Sequence, residues 1–153
     1  MSRWRETLRV LLVEDDEDDV LITRDLLAAQ DRVHFELDWV ADFDEALERI
    51  AAHTHDVYLV DYRLGRHTGL DLVRAAFPGE PLAPVVLLTG QGDWEVDVAA
   101  TQLGVSDYLL KSRLDPSQLE RSLRYAVRQY ETLGELRRSE ERYALAARAT
   151  NDG

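Results

Sequence analysis

Five times within the first 130 residues a short apolar run gives way to an amphipathic stretch, and few folds accept that alternation. The runs fall at residues 8–13, 35–40, 57–60, 85–88 and 105–110. Three of them, at 8–13, 57–60 and 85–88, are nearly continuous in Val and Leu, as strands covered on both faces must be. The second alternates apolar and polar residues like a half-buried edge strand. Between the runs, Val20, Leu21, Ile22, Leu26 and Leu27 have helical spacing within a segment from Asp18 or Asp19 to Gln30. Asp42 suits the cap of a helix carrying Phe43, Ala46, Leu47 and Ile50. A polar turn with Gly65 and Gly69 precedes a short helix over 70–76, which Phe77-Pro78-Gly79-Glu80-Pro81 breaks. A fourth helix covers about 94–103, and a final one begins after Asp115 with Pro116 in its first turn.

This pattern predicts an α/β fold with a parallel sheet and helices on both faces. Both doubly wound strand orders agree with it. The flavodoxin-like order 2-1-3-4-5 fits five units best, here with an extended C-terminal helix. In such sheets the working site lies at the carboxyl ends of the strands, so the residues just after each run matter most.

Those residues are chemically complementary. Strand one ends in Glu14-Asp15-Asp16, strand three in Asp61, strand four in Thr89 and strand five in Lys111. Lys111 is also the only lysine among 18 basic residues. Clustered carboxylates repel, and a bound cation relieves the repulsion. A small set of oxygen ligands suits magnesium, which keeps several waters and binds through one or two carboxylates plus phosphate. A carboxylate is also a nucleophile toward phosphorus, and phosphoryl transfer needs positioning and charge neutralisation more than covalent help. Taken singly, each residue has a plainer reading: a solvated or helix-capping acid run, a turn-starting aspartate, a capping threonine, a surface lysine. Four complementary types at four strand ends argue jointly for a site.

The runs Leu11-Leu12-Val13-Glu14-Asp15-Asp16, Tyr58-Leu59-Val60-Asp61-Tyr62, Val86-Leu87-Leu88-Thr89-Gly90 and Asp107-Tyr108-Leu109-Leu110-Lys111 resemble the four signature segments of two-component response-regulator receiver domains. Order and separations match as well, over about residues 7–130. The resemblance implies that Asp61 accepts phosphate from a histidine kinase or phosphotransfer protein. It implies Mg2+ (or Mn2+) bound by Asp15 and Asp61, by Glu14 through water and by the backbone carbonyl of Arg63, with Asp16 a third acid. Thr89 and Lys111 would contact the phosphoryl oxygens, and Tyr108 would be the switch aromatic. Two departures stand out. Ser112 follows Lys111 where many members have proline in a cis peptide. Arg63 and Gln91 occupy positions that in the family tune phosphate lifetime.

Two other function classes compete. An aspartyl-phosphate hydrolase of the haloacid dehalogenase type would place Asp-x-Asp after its first strand, whereas here the candidate nucleophile follows the third. A scaffold that is never phosphorylated would ignore a phosphodonor. The reading adopted is a regulatory receiver, not an enzyme beyond its own phosphotransfer and autodephosphorylation.

The net charge of −12 gives no general electrostatic help in binding nucleic acid or acidic lipid. No apolar run is long enough to span a membrane, the first residues lack a signal core, and cysteine is absent. Composition therefore points to a cytoplasmic protein with protein partners. His53 and His55 lie two apart beside Asp56, and the reading is structural rather than metal-binding.

Past Pro116 the helical pattern outruns what the sheet needs. Leu119, Leu123, Ala126, Tyr130 and Leu133 follow a 4-3-4-3 spacing, which predicts a homodimer seam on the C-terminal helix. The division expected is a receiver over 1–130 and, over 131–153, a helical linker leading into a truncated PAS domain. The stretch from Ser139-Glu140-Glu141-Arg142-Tyr143 to Asn151-Asp152-Gly153 resembles the opening of such a sensory domain. That resemblance implies PAS modules downstream, with a cyclic-di-GMP output among the candidates.

Overall fold

The structure, a computed structural model, describes residues 6–80, 82–90 and 94–151. Pro81, Gln91, Gly92, Asp152 and Gly153, named above, lie outside the described residues. Five strands form one parallel sheet: β1 (Thr7–Val13), β2 (His34–Val40), β3 (Val57–Asp61), β4 (Ala83–Thr89) and β5 (Val105–Leu110). Their spatial order is β2-β1-β3-β4-β5, the order expected from five strand–helix units. β3 and β4 are buried along their whole lengths, whereas β2 alternates and borders solvent.

Period-two alternation divides the core between the two faces of the sheet. Leu8, Val10, Leu12, Leu59, Val86 and Leu88 point to one side, where Val20 and Leu27 of α1 (Glu17–Ala28) and Leu119 and Leu123 of α5 (Pro116–Asn151) close over them. Leu11, Val13, Tyr58, Val60 and Leu87 point to the other side. There they meet Ala46 and Ile50 of α2 (Phe43–Ala51), Leu72 and Val73 of α3 (Gly69–Ala76), and Val96 and Ala100 of α4 (Trp94–Gln102). The helices start where capping chemistry allows. Asp42 Oδ2 accepts from Glu45 N, and Thr68 and Asp71 form a reciprocal capping box at α3. Asp115 Oδ1 accepts from Gln118 N ahead of Pro116.

The structure corrects three expectations. Asp16 is the N-cap of α1, its Oδ1 accepting from Asp18 N, so that helix starts earlier than predicted and Asp16 is engaged there rather than as a third acid of the cluster. Between Asp61 and α3 the polar turn is a two-residue antiparallel ribbon, Arg63–Leu64 against His67–Thr68, with Gly65 at φ 63°. Gly69 is not part of that turn but the first residue of α3, packed against β3. No peptide bond among the described residues is cis, and Lys111–Arg113, where Ser112 stands in place of the proline of many members, forms a 3-10 turn. The predicted seam fails as a unit, because Leu119, Leu123 and Ala126 are fully buried in the domain's own core. Farther along α5, Leu136, Tyr143 and Leu145 are exposed.

His55 is structural, as expected: its nearly buried imidazole lies 2.7 Å from Asp38 Oδ2. That contact holds the Asp38 carboxyl below its ordinary range.

Candidate functional site

Parallel pairing in register sets the carboxyl ends of β1, β3, β4 and β5 side by side, and the four signature segments converge there. A cavity of about 670 Å3 opens at that edge. Glu14, Asp15, Asp61, Arg63, Thr89 and Lys111 all line it, so the fold gathers every predicted site residue except Tyr108.

Glu14 is the most constrained of these. Its amide donates to Val40 O, its carbonyl accepts from Trp39 Nε1 at 2.7 Å, and its side chain is fully buried. Oε1 accepts from Asp16 N, and Oε2 from Lys111 Nζ at 3.0 Å. Burial pushes the Glu14 carboxyl up to about 7, with the nearby Asp61 adding to the rise against the pull of Lys111. Asp61, 8% exposed at its side chain, is likewise raised above the usual carboxylate range, chiefly by burial. Its Oδ1 lies 2.9 Å from Lys111 Nζ. Asp15 is exposed, and its Oδ2 accepts from Gly65 N at 3.0 Å, which ties the ribbon after Asp61 to the acid pair.

Carboxylate oxygens of Glu14, Asp15 and Asp61 come within 4.8 Å of one another. Three acids, one of them buried enough to hold its proton near neutrality, balanced locally by one ammonium, make a pocket short of positive charge. The donor set is oxygen only, and it fits a hard divalent cation of the magnesium type. Thr89 is buried at the end of β4, beside Gly90, and Arg63 reaches the cavity from the exposed ribbon. Tyr108 sits outside the cavity, half-buried on β5 opposite Leu87, packed on the α2–α4 side of the core.

Sequence reasoning missed one participant. Asp19, in the first turn of α1, approaches Lys111 Nζ at 2.7 Å, closer than either Glu14 or Asp61. Burial pulls the Lys111 ammonium down, but hydrogen bonds to Asp19, Asp61 and Glu14 outweigh it and hold the group above its ordinary value. The available signal was helical phase: Val20, Thr23 and Leu27 form the buried face of α1, which sets Asp19 at its edge.

A family profile described as the response regulator receiver domain matches residues 10–124. The chain belongs to that family. This receiver is 31% identical over 104 residues to the two-component response regulator PhoP of Pseudomonas aeruginosa, covering 68% of the chain and 45% of the relative. It is 32% identical over 122 residues to the response regulator PmrA of the same organism, covering 79% and 53% respectively. Among solved structures it resembles the receiver domain of a sensor histidine kinase from Pseudomonas aeruginosa PAO1, solved with a magnesium ion in its active-site cleft. That likeness has a TM-score of 0.64 and 25% identity, over 79% of this chain and 98% of the other. The receiver spans about half the length of these two curated relatives. Its relatives are regulators of two-component signalling, and no helix among the described residues is long and apolar enough to cross a membrane.

The raised Glu14 carboxyl has a measurable consequence. Between about 4.5, its unfolded value, and about 7, the folded protein keeps a proton that the unfolded chain has released. The stability linked to that proton is fully present below the lower value and lost as pH rises through the upper one. The raised Asp61 carboxyl acts with the same sign. The metal-free receiver is therefore expected to melt at lower temperature at pH 8 than at pH 6, and Glu14→Gln to flatten the difference. A melting temperature that climbs across this range in the wild type would contradict the burial argument. The lowered carboxyls of Asp38 and Asp71 contribute only at more acid pH.

Proposed function

We propose that this receiver accepts a phosphoryl group on Asp61 from a histidine kinase or phosphotransfer protein, with Mg2+ (or Mn2+) held by Glu14, Asp15, Asp61 and the Arg63 carbonyl. The observation that carries the reading is the placement of Asp61: at the end of a central strand, inside the carboxylate cluster, and 2.9 Å from the ammonium of the sole lysine. An Asp61 oxygen attacks phosphorus, the P–N bond of the donor phosphohistidine breaks, and the departing imidazole nitrogen keeps the electron pair and takes a proton. Lys111 and Thr89 donate to the phosphoryl oxygens as charge builds there. When bound, the cation supplies the positive charge that lets two anions approach.

In this reading the phosphoryl group draws Thr89 toward the cavity, and Tyr108, on the next strand, follows into the space vacated. The consequence passes to α5, the element that leaves the domain. The exposure of Leu136 and Tyr143 supports a homodimer contact on the distal half of α5, in place of the buried seam of Leu119, Leu123 and Ala126. Residues 1–130 then act as the receiver and 131–153 as a helical linker toward PAS and cyclic-di-GMP output domains, in a cytoplasmic protein.

The test is incorporation of phosphate from acetyl phosphate, followed by intact-mass spectrometry. One phosphoryl group per chain is expected with Mg2+, and none after chelation by EDTA. Continuous turnover of phosphate esters without a stable adduct would favour the hydrolase reading, and an unmodified chain the scaffold reading.

A further inference from the structure

Lys111 Nζ has three N–H donors, and each has an acceptor: Glu14 Oε2 at 3.0 Å, Asp61 Oδ1 at 2.9 Å and Asp19 Oδ2 at 2.7 Å. Two of those acceptors belong to the three carboxylates that lie within 4.8 Å of one another. Asp19 does not. A divalent cation entering the cluster needs the charge of Glu14 and Asp61 and repels the ammonium that now shares them. The ammonium is 22% exposed at its side chain, so on losing two partners it is not restored to bulk water. A half-buried charge without a partner is costly. Asp19 stands at the cavity rim, 32% exposed at its side chain, on a turn fixed by the Thr23 hydroxyl, which donates to the Asp19 carbonyl at 2.9 Å.

We propose that Asp19 is a positioning residue: it keeps the Lys111 ammonium when a divalent cation takes Glu14 and Asp61 away from it. Two effects follow. The cation displaces Lys111 onto a partner already in contact, so the exchange costs less. The ammonium also stays tethered at the rim, within reach of a group arriving on Asp61. The inference rests on the cation site assigned under the proposed function.

A double-mutant cycle on Mg2+ affinity tests it. Trp39 Nε1 donates to the Glu14 carbonyl, so the indole reports on the cluster. Changing the other two tryptophans, Trp4 and Trp94, to phenylalanine isolates its fluorescence. Mn2+ binding, followed by loss of the free-ion EPR signal, gives a second readout that is independent of phosphorylation. Asp19→Asn is expected to weaken Mg2+ binding by about five- to tenfold, a loss within the range of couplings between touching groups. In a Lys111→Met background, where no ammonium has to be rehoused, the same change is expected to cost less than about twofold. Asp18→Asn removes one charge from the same turn without touching Lys111. It serves as the control for simple charge loss and is expected to match the Lys111→Met result, at an ionic strength that screens distant charges. An equal loss from Asp19→Asn in both backgrounds overturns the inference, because Asp19 would then act on the cation without Lys111. No loss in either background overturns it too. In both cases Mg2+ still binds and the cation site stands. A wild-type chain that takes up neither Mg2+ nor Mn2+ removes the site itself, and the inference with it.

Discussion

Asp61→Asn is expected to abolish phosphoryl uptake from any donor while leaving the metal-free protein at least as stable as the wild type at pH 8. The amide keeps the shape of the carboxylate but has no nucleophilic charge, and the neighbouring acids at the end of β1 are engaged elsewhere. Asp15 is exposed and bound to the Gly65 amide, and the Glu14 oxygens are committed to the Asp16 amide and to Lys111. The stability expectation follows from burial. Asp61 is pushed above the normal carboxylate range, so its ionised form is carried at a cost when no cation is bound. Removing one of the clustered charges relieves that cost, whereas the hydrogen bond it gives up is partly retained by the amide oxygen. Thermal melts in EDTA check the stability expectation and intact-mass spectrometry the chemical one. Undiminished incorporation in the variant would move the acceptor elsewhere.

Gly69→Ala is expected to be strongly destabilising. A Cβ at that position would lie 2.5 Å from the Asp61 carbonyl oxygen, 2.9 Å from Leu87 Cδ1 and 3.0 Å from Val60 Cγ1. The nearest obstacle is backbone, which cannot rotate away as a side-chain end can. Overpacking of this kind costs about 3 kcal/mol. Because the atom displaced belongs to Asp61, phosphorylation is expected to slow in whatever fraction stays folded. Gly65→Ala provides the contrast. A Cβ there meets nothing within 4 Å, and only the left-handed backbone at φ 63° opposes it, at about 1 kcal/mol. Urea denaturation of the two variants should separate clash from conformational strain. Similar midpoints would show that α3 can retreat from β3 without penalty.

The sheet was legible because its inner strands are buried on both faces. Residues 57–60 and 85–88 had to be apolar throughout, and such runs announce themselves without any partner in view. The site residues were legible because topology puts strand ends together whatever the loops between them do. What escaped was what depends on three-dimensional neighbours. The Asp19–Lys111 contact joins residues 92 apart, and an acid in the first turn of a helix reads equally well as dipole compensation. Asp16 reads the same way whether it caps a helix or holds a cation, and here it caps. The spacing of Leu119, Leu123 and Ala126 describes an apolar helix face but not what covers it. A domain's own sheet and a second helix leave the same imprint, and the sheet covers those residues here. Gly69 passed for a turn glycine because a glycine needed for close approach has no sequence mark of its own.

One divalent ion and one transferable phosphoryl group are expected to share the pocket formed by Asp15, Asp61, Thr89 and Lys111. A crystal structure of the chain grown with Mg2+ and beryllofluoride tests it most directly. The expected result has beryllium bonded to an Asp61 carboxylate oxygen, its fluorides contacted by Thr89 and Lys111, and the ion bound among Glu14, Asp15 and Asp61. Beryllofluoride on another carboxylate, or an ion bound away from those acids, would contradict it.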